Sequence, residues 1–305
     1  MMPGPTHRQE LMSMAMALLP AGACYLIAPG REGVAMLLVC AALQRGERAL
    51  GRGRRGMLMH LLLIAATLAT LQYLLPHPWL FALFTTLLAM LCSALSCYGE
   101  AWRTLASWVF IPALYIAYGP GSPAPLSLAL LILPLAGPFL LLSTGKPIDT
   151  KQVARPMADI LYPCVGLGGA VLICSLWVGY HRPPHGQWII WSAMSVSMME
   201  TGEIYRKLKA RILGAMAGGG VGLALVSLHP AHYVATLGSI LIPLTLAMRP
   251  YGLAFASRCL LIALSIEAFR GSEAVVMARV LEVAAGGILG ATCTHLGLYL
   301  HRRRH

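Results

Sequence analysis

Acidic side chains are scarce in this chain. Asp and Glu together number 11 in 305 residues, and charged residues of both signs make up only 11%. Soluble domains carry roughly 25% charged residues, so a soluble globular fold is excluded as the starting class. Polar stretches long enough to form an independent soluble domain are also missing. CxxC pairs are absent: Cys24, Cys40, Cys92, Cys97, Cys164, Cys174, Cys259 and Cys293 are scattered inside or at the ends of apolar blocks, as small buried residues are. No aspartate pairs for prenyl transfer, HExxH, GxSxG or P-loop pattern occurs, so no motif supports an intramembrane enzyme. No cleavable signal peptide of the usual form is recognised. The first apolar block begins near Leu11 and a second follows at once, so it reads as a first span.

What the chain has in abundance is continuous apolar sequence. Hydrophobic residues make up 58%, and the mean hydropathy is +0.71. A membrane-crossing helix needs about 20 predominantly apolar residues, whereas an outer-membrane barrel would alternate apolar and polar residues. The blocks here are continuous, so the expected fold is an all-α integral membrane protein. Twelve spans are expected, near 11–29, 32–44, 57–76, 78–97, 102–119, 124–143, 158–179, 187–199, 210–228, 231–248, 251–269 and 273–300.

The net charge of +12 sits in the loops between these blocks, which argues for membrane topology and against a nucleic-acid partner. With the N-terminus inside, 18 of the 23 Lys and Arg residues fall on the cytoplasmic side. They include the run Arg45, Arg48, Arg52, Arg54 and Arg55. Both termini are therefore expected in the cytoplasm, in a bacterial-type inner membrane. The spans divide into a first six-helix half, 1–150, and a second, 151–305, joined at "STGKPIDTKQVARP". Each half has a short second span, 33–44 and 187–199, followed by a basic loop. Matched short segments of this kind point to a transporter binding region.

One phrase is written twice. "ARILGAMAGGGVG" at 210–222 returns as "ARVLEVAAGGILG" at 278–290, with seven of thirteen positions identical. The two copies lie three spans apart, so they should run antiparallel as an inverted repeat. In the first, Arg211, Gly214, Gly218 and Gly222 form one helical stripe. In the second, the stripe is Arg279, Glu282, Gly286 and Gly290. Glycines spaced by four let helices approach closely in lipid, so the two phrase helices are expected to pack against each other with Glu282 in their seam. An ionisable residue within a span is by default a functional candidate. Glu282 fits a proton or substrate site, and it equally fits a structural ion pair with Arg279, one turn away.

Other candidates are weaker. Arg258 either snorkels to the inner surface or faces an anion. Glu200 is close enough to line an inner mouth, or it balances the basic loop. Trp191 lies deep in the short span and fits either stacking on an aromatic substrate or ordinary packing, while Trp79, Trp177 and Trp188 fall near interfaces. Glu267 and Arg270 read as interfacial. His181, His185, His229 and His232 lack acidic or cysteine companions, so no metal site is expected, and no cofactor either.

The segment "GQWIIWSAMSVSMMETGEIYRKLKARILGAMAGGGVGLAL", 186–225, resembles the fusaric acid resistance (FUSC) and aromatic acid exporter superfamily. The matching positions are Trp188, Arg211, Gly214 and Gly218, and "ARVLEVAAGGILG" resembles that superfamily's closing helix through Arg279 and Glu282. The resemblance covers roughly 186–295. It implies an inner-membrane transporter of aromatic or other organic carboxylic acids, in some relatives beside a periplasmic adaptor protein. Expected partners are thus the bilayer and a small organic anion; a homo-oligomer is compatible with the pattern. Two alternatives stand: a non-transporting structural membrane subunit, and a major-facilitator-type transporter. The second would place its loop motif at "GERALGRGRRG", 46–56, but Leu50 stands where an acidic residue belongs.

Overall fold

The computed structural model describes residues 7–27, 31–51, 53–118, 157–198, 202–228, 232–268 and 273–304. Among them no strand occurs, and helices follow the apolar blocks. The first half contributes α1 (His7–Ile27), α2 (Arg31–Leu50), α3 (Gly53–Leu74), α4 (Pro78–Ala94, continued as a 3-10 turn Leu95–Tyr98) and α5 (Glu100–Tyr118). The second contributes α6 (Met157–His181), α7 (Gln187–Ser197), α8 (Ile204–Val226), α9 (His232–Leu241, continued as a 3-10 turn Ile242–Ala247), α10 (Tyr251–Ala268) and α11 (Glu273–Arg304). Each lies on one expected span. The span expected at 124–143 and the junction between the halves lie outside the described residues.

Five stretches are long and apolar enough to cross a membrane: Gly53–Leu74, Pro78–Tyr98, Ile160–His181, Ile204–Val226 and Ala274–Leu300. The outward face of α4 is apolar as well. On α4 the exposed row Leu80, Leu83, Leu87 and Leu91 backs onto the buried Phe81, Thr85, Ala89 and Cys92. A helix apolar all round is a membrane helix or a fully buried one, and an exposed leucine row excludes the second.

The matched short spans do not survive as a pair. Helix α2 runs 20 residues, through Arg45 and Arg48, to Leu50. Gln, Glu and Arg are good helix formers, so charge alone does not end the helix. It ends at Gly51, whose φ of 57° suits glycine, and Glu47 Oε1 accepts the Gly53 N–H at 3.1 Å across the turn. Helix α7 is truly short, at 11 residues.

Proline placement orients the first half. Pro112 lies inside α5 and cannot donate to the carbonyl four residues back. That carbonyl belongs to Trp108, and the buried His60 of α3 hydrogen-bonds it instead, which ties α3 to α5. The two halves share one main apolar core, reaching from Met14 in α1 to Met194 in α7.

Glycine contacts give the directions of the second half. Gly214 sits against Phe255 and Ala256, Gly218 against Ala256 and Cys259, and Gly222 against Leu260 and Ala263, so α8 and α10 run parallel. Gly286 sits against Ile189 and Gly290 against Ala193 and Ser197, so α11 and α7 also run parallel. Gly219 lies against Val276 and Val280, while Gly287 lies against Leu208, so the phrase helices α8 and α11 cross antiparallel. The antiparallel expectation holds, but the facing does not. The Gly214/Gly218/Gly222 stripe seats α10 and the Gly286/Gly290 stripe seats α7, whereas the phrase helices touch through other residues. Each glycine stripe needs the closest backbone approach, and the inverted repeat supplies that from the helix next to its counterpart.

Candidate functional site

The repeat extends beyond glycine. Arg211, one turn before Gly214, is buried and holds its guanidinium 4.5 Å from the ring centroid of Phe255 on α10. Arg279, one turn before Glu282, is equally buried and lies 4.5 Å from the ring centroid of Trp188 on α7. The arginines are offset by 68 residues and the rings by 67, so the two cation–ring contacts are related by the same inverted repeat as the glycines. Such a contact in a desolvated setting contributes roughly 2 kcal/mol.

The first arm is rich in polar partners. Arg211 Nη1 donates to Ser195 Oγ and to Tyr251 Oη, both at 3.1 Å. Lys207 Nζ donates to the Ser195 carbonyl at 2.7 Å and lies 5.5 Å from the Tyr251 ring centroid. Arg258 donates from Nε to Thr245 Oγ1 at 2.9 Å and from Nη2 to the Thr245 carbonyl at 3.4 Å. It is thus anchored to the 3-10 turn after α9, and its guanidinium also lies 5.9 Å from the Phe255 ring centroid. Ser192 Oγ donates to the Val283 carbonyl at 2.6 Å and Ser197 Oγ to the Gly290 carbonyl at 3.0 Å, which lock α7 onto α11.

Helix α5 of the first half closes the cluster. Tyr115 hydrogen-bonds Arg279 and lies within electrostatic reach of Arg211 and Arg258, and those two arginines sense each other and Arg279. Phe110 faces Trp191 at 6.4 Å, and Arg103 donates to the Met198 carbonyl at 3.1 Å. Three guanidinium groups therefore lie within electrostatic reach of one phenol. Their hydrogen bonding is incomplete: Arg211 Nε, Arg279 Nε and Arg279 Nη1 have no partner. A buried polar atom without a partner costs on the order of 1–3 kcal/mol, more when charged.

Glu282 is buried at 9% exposure and faces the protein rather than lipid. It lies within electrostatic reach of Arg279 and of Tyr118. It forms no ion pair with Arg279, and its Oε2 has no hydrogen-bond partner. In the loop before α7, His185 stacks on Trp188 with centroids 4.4 Å apart and planes within 8°. Burial, and then the neighbouring Arg279, push its imidazole below the usual histidine range.

Of the expected site residues, Arg279 lies within electrostatic reach of both Arg258 and Glu282. Trp191 instead packs half-buried against Phe110. Glu200 lies outside the described residues, as do His229 and Arg270. Arg211, expected only as part of a packing stripe, carries its own ring contact and hydrogen bonds. Sequence reasoning missed Phe255, Tyr251, Thr245 and Tyr115. The repeat could have found Phe255, since it stands to Arg211 nearly as Trp188 stands to Arg279. No local signal marks Tyr115, which reaches the cluster from the other half of the chain.

The fold and the cluster define a multi-pass helical membrane protein whose second half is an inverted repeat holding buried guanidinium groups. Residues 170–293, which contain both arginine–ring contacts, match the family model described as fusaric acid resistance protein-like, and that family is one of membrane transporters. No curated protein and no solved structure matches the chain.

Proposed function

We propose that this protein exports an aromatic or other organic carboxylate across a bacterial-type inner membrane. It does so as twelve spans in two six-helix halves, 1–150 and 151–305, with both termini cytoplasmic. The observation that carries this reading is the pair of buried arginines, Arg211 and Arg279, each against an aromatic ring and each with N–H groups left unpartnered, with Arg258 in electrostatic reach of both. Buried cations are retained at a cost of several kcal/mol unless an anion compensates them, and intramembrane arginines by default mark an ion or substrate path. Aromatic rings at Trp188 and Phe255 border the same guanidinium groups, which suits an acid carried on a ring.

The chemistry is binding, not bond-making. Arg279 offers unpartnered donors to a carboxylate, and Arg258, pinned by Thr245, adds a fixed positive charge. Glu282 sets the affinity of Arg279: ionised, it repels an incoming anion, and protonated, it does not. An inside-negative potential itself drives an anion outward, by about 2.3 kcal/mol per charge per 100 mV. Glu282 is therefore read as a proton-operated gate on anion binding. A periplasmic adaptor would receive the exported acid.

The test is flux of radiolabelled fusarate and benzoate in proteoliposomes under an imposed potential, with glucose as control. Carboxylate flux well above that of protein-free liposomes is expected, falling roughly ten- to a hundredfold in Arg279→Gln, as for loss of a charged hydrogen-bonding partner. Flux equal to protein-free liposomes in the unmodified protein would sink the proposal.

A further inference from the structure

The inverted repeat duplicates the arginine–ring contact, and the reading above uses only its second copy and Arg258. The first copy is at least as well built. Arg211 is 2% exposed, has an unpartnered Nε, and is held by Ser195, Tyr251 and the Phe255 ring. The copies differ at one position of the stripe, where Gly214 stands for Glu282. Gly214 leaves no side chain beside Arg211 and adds no negative charge there.

The duplication gives the stoichiometry. Arg211 and Arg279 each carry a ring contact and at least one unpartnered N–H, so each arm offers donors to one acidic group. Lys207 and Arg258 lie within electrostatic reach of Arg211 and add to the positive field. Tyr115 hydrogen-bonds Arg279 and lies within electrostatic reach of Arg211, and Trp188 and Ser195, which contact Arg279 and Arg211, are both carried by α7.

We propose that the cluster is a two-armed anion site, with one acidic group bound at Arg279 and Trp188 and a second at Arg211 and Phe255, and that its preferred substrate is an aromatic dianion. This rests on the anion-transport reading and narrows its substrate class. The guanidinium of each arm lies 4.5 Å from its ring centroid, and a guanidinium presents a planar fork of donors that matches a carboxylate. Arg258 lies within electrostatic reach of both arginines and adds positive charge.

The experiment is calorimetric titration of the full-length protein in detergent with benzoate and with the three benzenedicarboxylate isomers. Two benzoates per chain are expected, but one dicarboxylate. At least one isomer should bind roughly tenfold or more tighter than benzoate, since its second carboxylate adds another charge-assisted contact. Arg211→Gln and Arg279→Gln should each erase that advantage while one benzoate still binds, and Arg211→Lys should restore part of it. The proposal is overturned if benzoate binds once per chain and no dicarboxylate binds tighter, a comparison that needs only the unmodified protein. It is also overturned if Arg211→Gln leaves the dianion preference intact. In both cases benzoate binding preserves the transport reading, whereas no binding of any of these acids removes both.

Discussion

Arg211 and Arg279 are counterparts in two inverted copies of one helix pair. Arg211 precedes its glycine stripe by one turn and Arg279 precedes its own by two, with Glu282 between, and each guanidinium lies 4.5 Å from the centroid of a ring carried by the helix that the stripe seats. The glycines and the arginines thus act together. Close backbone approach brings the ring-bearing helix near enough for the ring to cover the guanidinium, and side chains at the glycine positions would push the ring away.

That coupling predicts a sharp contrast between neighbouring glycines. A Cβ on Gly218 would collide with the backbone carbonyl of Ala256, and one on Gly286 with that of Ile189, whereas Gly220 has nothing within 4 Å. Backbone cannot rotate away as a side chain can. Gly218→Ala and Gly286→Ala should each destabilise by about 1–3 kcal/mol, while Gly220→Ala should be neutral or slightly stabilising because it lowers the flexibility of the unfolded chain. Thermal unfolding in detergent measures all three, and equal midpoints would contradict the close packing.

The rings should matter by face rather than by bulk. Trp188→Leu keeps an apolar side chain over Arg279 but loses the π-face, and it should weaken benzoate transport by roughly tenfold, the equivalent of 1–2 kcal/mol in a desolvated cation–ring contact. Trp188→Phe should retain most of the activity. A leucine variant that transports as well as the phenylalanine variant would reduce Trp188 to a space-filler.

Much of this architecture was legible in the chain because lipid simplifies the code. Helix positions followed from apolar runs, since every backbone polar group must be satisfied within its own segment. The antiparallel course of the phrase helices followed from span parity. The facing of the glycines was not legible. A stripe says that something comes close but not which helix, and the symmetric solution, α8 on α10 and α11 on α7, needs three-dimensional information. The end of α2 was misread because a charge run looks like a loop, although Arg45, Glu47 and Arg48 suit a helix until Gly51 turns it. Tyr115 was invisible because its place depends on how one half of the chain packs on the other.

Thr245 offers a test of how Arg258 is held. Its hydroxyl and carbonyl both accept from the guanidinium, at 2.9 and 3.4 Å. Thr245→Val keeps the shape and removes one acceptor from a charged donor, so stability should fall by about 1–3 kcal/mol. Thr245→Ser should largely preserve it. Chemical unfolding of both variants decides, and a valine variant as stable as the parent would mean that Arg258 finds another acceptor.

His185 should give the protein an acid-sensitive end. Its imidazole is depressed by burial and by Arg279, with Arg182 the charged neighbour in its own loop. A histidine depressed in the fold binds more protons when unfolded, so its contribution to stability is complete above the unfolded value of about 6.5 and declines as pH falls through that value. His185→Gln should remove this part of the decline between about pH 7 and pH 5. Melting midpoints across that range would show it, and an unchanged slope in the variant would assign the acid sensitivity elsewhere.

Glu282 is the residue by which the two stripes differ, standing where the first copy has Gly214, and its replacement separates gate from scaffold. The carboxylate is buried, has an unpartnered Oε2 and makes no ion pair with Arg279, so Glu282→Gln removes a desolvated charge without breaking a salt bridge. A structural ion pair would lose about 3–5 kcal/mol on such a change; here stability should hold or rise. Binding should shift in a defined direction. Ionised Glu282 repels an incoming carboxylate at Arg279, so the parent protein should bind benzoate more tightly as pH falls. The glutamine variant, neutral at every pH, should bind tightly throughout. Titration in a His185→Gln background keeps the imidazole out of the comparison. A slope against pH that survives Glu282→Gln would show that another group operates the gate, and a large loss of stability would return Glu282 to the role of a structural partner.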